Sequence, residues 1–253
     1  FGVYCVNIYV EKEGYTPDKK TIVLKVYDVT PPEVRIIQPE NNSVVHDSIQ
    51  IKFDVREEHL YLVNVSLNDT ILGSFTSNGT ISLSLDTNEF ADGMYLLKIW
   101  AIDRHNNTDI GVVILIIDNT APVILKVNVN SQYSESEEIK VLVYVTDKTS
   151  GVAVVYLWYR TNSGNWSKVE MTFDGEKWIG IIPGQRYGTI IELYIEAFDL
   201  AENSAQSQVY KIRITMSPLR IALIAIASFA MLGVVLYVVD RKYNFLRKRR
   251  KST

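Results

Sequence analysis

From Ile221 to Val239, nineteen consecutive residues carry no charge, and all but Ser228, Gly233 and Tyr237 are aliphatic, Phe or Met. As a helix rising about 1.5 Å per residue, such a run crosses most of a hydrocarbon core roughly 30 Å thick. A core helix of a soluble domain usually shows a polar stripe, and this run has none. It therefore reads as a single transmembrane helix, with the lipid bilayer as its first partner. Arg241, Lys242, Arg247, Lys248, Arg249, Arg250 and Lys251 follow at once, and the positive-inside rule assigns them to the cytoplasm. Tyr237 and Tyr243 suit the aromatic belt of that side. Beside a spanning helix, the basic run is better explained as an orientation signal that attracts anionic headgroups than as a nuclear localisation signal. The expected placement is the plasma membrane, single-pass and type I, with the carboxyl end cytoplasmic and the bulk of the chain outside.

Charge divides the chain in the same way. Before Arg220 there are 18 basic and 28 acidic residues, a net of −10, whereas from Asp240 onward seven basic residues face one acid, a net of +6. Opposite signs imply different surroundings. The tail after the helix is too short to fold into a catalytic domain. The amino end runs from Phe1 straight into alternating apolar residues with no signal-peptide pattern, so an exported protein of this sequence is expected to be a fragment of a longer chain.

Internal repetition organises the outer part. Asp28-Val29-Thr30-Pro31-Pro32-Glu33-Val34 recurs as Asp118-Asn119-Thr120-Ala121-Pro122-Val123-Ile124, an interval of 90 residues. An alternating strand follows each time, with Ile49, Ile51, Phe53 and Val55 in the first copy and Ile139, Val141, Val143 and Val145 in the second. Later come Tyr95, Leu97, Ile99, Ala101 and Asp103, matched by Ile191, Leu193, Ile195, Ala197 and Asp199. Each ends in Ala-x-Asp before a turn containing Asn, and final strands are predicted over 112–117 and 209–214. Asp92-Gly93 and Asp174-Gly175 suit two-residue hairpin loops. Short strands at this spacing predict β-sandwiches.

These residues resemble tandem immunoglobulin-like and fibronectin type III-like modules of prokaryotic, especially archaeal, cell-surface proteins. The second copy carries the more specific text: Asp147, Ser150-Gly151-Val152, Tyr159-Arg160, Gly164-Asn165-Trp166, Trp178, Ile182-Pro183-Gly184 and Ala197-Phe198-Asp199. The resemblance implies an all-β chain of sandwiches followed by the helix, and a role in display, spacing and adhesion. Expected boundaries are 1–28 for the last strands of a preceding β domain, 29–118 and 119–216 for two sandwiches, 217–239 for the helix and 240–253 for the tail.

Composition removes several chemistries. One cysteine, Cys5, excludes a disulfide within the chain, and three scattered histidines without paired cysteines exclude the usual zinc frameworks. No nucleophile elbow, zinc-binding His pair, phosphate loop or dinucleotide fingerprint occurs. Glu57 and Glu58 are adjacent and point to opposite faces of a strand, so they do not cooperate as an acid/base pair. No enzyme, cofactor or nucleic-acid partner is expected in these residues. Asp28, Asp103, Asp118 and Asp199 invite a calcium reading, but an Asp beside a turn most often caps backbone amides and no metal is expected.

Two surface features remain. N-glycosylation sequons stand at Asn41, Asn64, Asn68, Asn78, Asn106 and Asn165. Asn64, Ser66 and Asn68 alternate with Val63, Val65 and Leu67, which predicts polar acceptors facing solvent. Alternation likewise predicts that Tyr156, Trp158, Tyr194 and Phe198 face outward together as a candidate partner patch, with Glu192, Glu196 and Arg160 among them. The expected role is a membrane-anchored stalk or adhesin that meets an extracellular protein, a glycan or its own copies. The alternatives are the spacer and anchor of a surface hydrolase, and a receptor recruiting a cytoplasmic partner through its basic tail.

Overall fold

The structure is a computed structural model that describes residues 2–251, with side chains described over residues 2–242. Its contacts divide it into two compact units, Phe1–Thr120 with Leu200–Asn203, and Ala121–Asp199 with Ser204–Thr253.

In the first unit, β1 (Gly2–Val10) and β2 (Asp18–Val26) form an antiparallel hairpin that is a sheet of its own. A sandwich follows, built from β3 (Glu33–Gln38), β4 (Ser43–Val45), β5 (Ser48–Arg56), β6 (Leu60–Leu67), β7 (Thr70–Phe75), β8 (Gly79–Asp86), β9 (Gly93–Asp103) and β10 (Thr108–Ile117). One sheet has the order β3-β5-β8 and the other β4-β10-β9-β6-β7. Alternation in β5 sends Ile51, Phe53 and Val55 into the gap, where they meet Val63, Val65, Leu97, Ile99, Leu115 and Ile117, all essentially inaccessible to solvent.

The second unit repeats the plan with β11 (Val123–Asn128), β12 (Gln132–Ser134), β13 (Ile139–Thr146), β14 (Val152–Thr161), β15 (Ser167–Glu170), β16 (Thr172–Phe173), β17 (Trp178–Ile182), β18 (Ile190–Asp199), β19 (Ser204–Gln206) and β20 (Tyr210–Thr215). Its sheets run β11-β13-β17-β16 and β12-β20-β18-β14-β15, with β19 paired to β18. The core again comes from alternation: Ile139, Val141 and Val143 face Val155, Leu157, Leu193 and Ile195. In both sandwiches a short early strand pairs parallel with the last one, β4 with β10 and β12 with β20, which covers an edge that would otherwise be open.

The repeated sequence text has local causes. The Asp147 Oδ1 accepts the backbone N–H groups of Thr149, Ser150 and Gly151 at 3.1, 3.0 and 2.7 Å, and Gly151 takes a φ of +88° as the chain enters β14. At the other end of the same strand, Asn162 (φ 49°) donates its N–H to Ile190 O and accepts the Ile190 N–H on Oδ1. Asn68, also at φ 49°, does the same with Leu96 after β6.

Three local expectations change. Asp92-Gly93 is no hairpin loop: β8 and β9 belong to different sheets, and the chain crosses through a 3-10 turn at Thr87–Glu89. Asp92 instead accepts the Asn119 N–H at 2.8 Å and the Thr120 hydroxyl proton. The Asp174-Gly175 hairpin has four residues between β16 and β17, not two, because Phe173 pairs with Trp178. Ser66 stays on the outer face with Asn64, as alternation requires, but it is buried there, beside Ile71, Lys98 and Trp100.

After β20 only Met216 and Ser217 intervene before helix α1 (Pro218–Lys251). Its segment Pro218–Lys242 has a mean hydropathy of 2.6 over its most apolar window, and none of that window is buried in the protein. Among the described residues, one helix is thus long and apolar enough to cross a membrane, at the carboxyl end.

Candidate interaction surface

The outer face of β14 and β18 carries the candidate partner residues. The register sets Trp158 opposite Tyr194, Tyr156 opposite Glu196, Arg160 opposite Glu192 and Val154 opposite Phe198. Inward positions are taken by Val155, Leu157, Leu193 and Ile195, so the period of two leaves the aromatic residues on the other side. Trp158 and Tyr194 lie nearly parallel with centroids 6.0 Å apart, and Tyr156 meets Phe198 edge to face at 6.2 Å. All four are half-buried.

Two further residues, which the alternation argument does not reach, complete the surface. Trp166 lies just before β15 and packs edge-on against Tyr194 at 5.0 Å, with the Arg160 guanidinium 4.6 Å from its ring centre. Lys168 on β15 places its ammonium 4.0 Å from the Tyr156 centroid and 5.6 Å from that of Trp158. Such cation–π contacts favour a ring face in a partly dry setting. A Gly-Asn-Trp loop gives no period from which the direction of Trp166 follows; the cross-strand neighbour of Trp158 being Lys168 was readable only once the β14–β15 register was known.

Carboxylates fix the rim. Glu192 accepts from Arg160 Nε at 2.8 Å and Nη2 at 2.7 Å and lies 3.2 Å from Lys211 Nζ. Hydrogen bonding from Arg160, then from Lys211, holds its carboxyl below the usual range. Glu196 accepts the Trp158 indole N–H at 2.8 Å and the Gln206 amide at 2.8 Å. Burial, with the Glu196 charge adding, pushes the Tyr194 hydroxyl above the usual phenol value. The result is an aromatic surface with charged groups over and around its rings, of a kind that can pack against an apolar or ring-bearing partner.

The sequons occupy varied positions. Asn41, Asn68, Asn78, Asn106 and Asn165 are exposed, while Asn64 on the outer face of β6 is half-buried and accepts from the Ser74 hydroxyl at 2.7 Å. Asn41 accepts the Ile114 N–H at 2.8 Å, and Asn78 uses both amide atoms on the backbone of Glu57. Among the membrane-orientation residues, Arg241 and Lys242 are exposed on α1. The side chains of Arg247, Lys248, Arg249, Arg250 and Lys251, and Tyr243, lie outside the described residues.

The acidic end of the first unit gathers residues that look scattered in sequence. Asp28, Asp103 and His105 offer ligand atoms within 4.8 Å of one another, and the His59 and His105 rings meet edge to face at 5.9 Å. The carboxylates serve the backbone here. Asp103 accepts N–H groups of His105 and Asn107 at 2.7 and 2.8 Å and the Asn107 side-chain amide at 2.7 Å. Burial works to raise its pKa, but these bonds outweigh it and the carboxyl lies below its ordinary value.

No protein-family model and no curated protein matches the chain. Solved structures do. A crystal structure of titin domains covers 85% of this chain over 75% of its own length, with 11% identity and a TM-score of 0.55. Fibronectin(III)-like modules of Clostridium thermocellum CbhA align over 73% of this chain and 95% of their own, at 17% identity and a TM-score of 0.44. The fold is that of tandem immunoglobulin-like and fibronectin III-like sandwiches. At these identities the likeness speaks for architecture alone.

Proposed function

We propose that the chain is the membrane-proximal part of a cell-surface stalk: β-sandwiches outside the cell, α1 across the plasma membrane, and the basic carboxyl end in the cytoplasm. The observation that carries this reading is α1, whose run from Ile221 to Val239 carries no charge and whose most apolar window is not buried in protein, with only Met216 and Ser217 between it and a sandwich strand. Exposed to water, such a surface would be strongly unfavourable at about 25 cal/mol per Å² of apolar area. The net −10 before Arg220 and the sequons fit a solvated, glycosylated exterior.

Adhesion is assigned to the outer face of β14 and β18, where Trp158 and Tyr194 present their rings to an extracellular protein, a glycan or another copy. The anchor is tested by carbonate extraction and by protease treatment of intact cells bearing a carboxyl-terminal tag. Retention in the membrane with a protected tag is expected; release by carbonate, or digestion of the tag, would sink the reading. Trp158→Ser with Tyr194→Ser is expected to lower surface binding or self-association with the sandwich still folded, and unchanged binding removes this face from the role.

A further inference from the structure

The hairpin β1–β2 is paired over its whole length, from Gly2 opposite Val26 to Val10 opposite Asp18. Among the described residues no other strand extends it, and a two-stranded sheet alone is marginal in water. Its two faces differ. The even-numbered face carries Tyr4, Val6, Ile8 and Val10 with Ile22, Leu24 and Val26, exposed by 54, 42, 42, 62, 39, 48 and 50%, and has Lys20 and Asp18 only at its turn end, opposite Ile8 and Val10. The opposite face mixes Val3, Cys5 and Val23 with Asn7 hydrogen-bonded to Thr21 at 2.8 Å, Lys25, and Lys19 lying over Tyr9. One side is therefore built as a core surface and the other as a solvated one.

The way the chain leaves β2 identifies what the hairpin belongs to. After β10, the last strand of a complete sandwich, Asp118 Oδ1 accepts the Thr120 N–H at 3.2 Å; after β2, Asp28 Oδ1 accepts the Thr30 N–H at 3.0 Å. Within the same unit, the Asp118 carbonyl accepts the Asn203 side-chain amide at 2.8 Å, and the Asp28 carbonyl accepts that of Asn107 at 3.2 Å. Both Asn residues stand in the turn after an Ala-x-Asp strand. The junctions differ in length, since Tyr27 adds a residue between the last apolar-face position, Val26, and the aspartate, and in the next residue, since Asn119 bonds to Asp47 and Thr87 where the first junction has Val29.

We infer that β1 and β2 are the last two strands of a further β-sandwich, whose other strands come from residues of the complete protein that precede Phe1. The even-numbered face then docks on the apolar face of an opposing sheet. Both complete sandwiches say what the edges take. The last strand receives a short parallel strand, as β10 receives β4 and β20 receives β12, and the strand before it receives an antiparallel neighbour, as β9 receives β6. The outer edge of β2 accordingly takes a parallel strand and that of β1 an antiparallel one. The stalk thus has at least three sandwiches, and this follows whether or not α1 spans a membrane.

Hydrogen exchange tests the inference by comparing the product of the complete reading frame with the 253-residue chain, both in the same detergent. Amides of β1 and β2 are expected to exchange at least on the order of a hundredfold more slowly in the longer protein. Leu24→Asp in that protein is expected to remove this protection while the melting of the Glu33–Ile117 sandwich stays unchanged. Equal exchange in the two proteins, protection that survives Leu24→Asp, or a reading frame without upstream strands would overturn it. So would protection in the 253-residue chain that grows with its concentration, since that makes a second copy the occupant.

Discussion

Several asparagines that read as glycan acceptors are also structural. Asn68 sits in the left-handed region at φ 49°, with backbone and side chain both bonded to Leu96, and Asn162, which is in no sequon, has the same φ and the same bonds to Ile190. Asn enters this region more readily than other residues with a Cβ. Asn68→Gln keeps an amide but neither the local geometry nor the ease at positive φ. It is expected to cost about 1 to 2 kcal/mol of unfolding free energy. Asn165→Gln, at an exposed loop position, should stay within about 0.5 kcal/mol. Urea unfolding of unglycosylated protein checks both, and equal effects would mean that Asn68 is only an acceptor. The sequence hid this because a sequon and a left-handed cap use the same residue.

Elements were legible where the period of two ran uninterrupted. In β5, β13, β14 and β18 the alternation places Phe53, Val141, Leu157 and Leu193 in the cores where the structure has them. Joins were less legible, because a turn motif states its local geometry and not which sheet the next strand enters; Asp92-Gly93 is the case in point. Close approaches were invisible as well. Gly184 lies against the Ser136 backbone so tightly that a Cβ would overlap its carbonyl, beside the bond from Ser136 N–H to Gln185 O at 2.9 Å. Gly184→Ala is expected to destabilise the second sandwich by about 1 to 3 kcal/mol, seen as a lower midpoint in near-ultraviolet circular dichroism. An unchanged midpoint would show that the loop yields freely.

The join to α1 makes a second prediction at this scale. Glu135 accepts from Ser217 N–H at 3.3 Å and Oγ at 3.1 Å, and from Arg220 Nη1 at 2.7 Å, while the Arg220 guanidinium lies 5.6 Å from the Tyr187 centroid. Chiefly through the Arg220 bond, and with burial opposing, the Glu135 carboxyl is held below its ordinary value. A depressed pKa means that the clamp is fully formed above the unfolded value and is lost as pH falls through the folded one. In micelles the Arg220 side-chain resonance is expected to move, on acidification through that range, to the position it has in Glu135→Gln at neutral pH. A resonance indifferent to both changes would leave the helix untethered by this contact.

For the molecule as a whole, two features act on the same question of which side faces out. The part before Arg220 folds into sandwiches of net −10, whereas the segment from Asp240 carries +6 within a few residues of the span. Positive residues close to a helix end resist transfer across the membrane, whereas long domains cross largely regardless of their charge. In the proposed topology the basic run, rather than the acidity of the sandwiches, should therefore hold the carboxyl end inside. Replacing Arg247, Lys248, Arg249, Arg250 and Lys251 together by Glu leaves both cores and the Glu135 clamp untouched. A carboxyl-terminal tag that is protected in the wild type is then expected to become accessible to external protease in a measurable fraction of molecules, with the sequons still facing the exterior. If the tag stays fully protected, Arg241 and Lys242 suffice for retention, and the distal charges are left to act on anionic headgroups, each worth about 1 kcal/mol near such a surface.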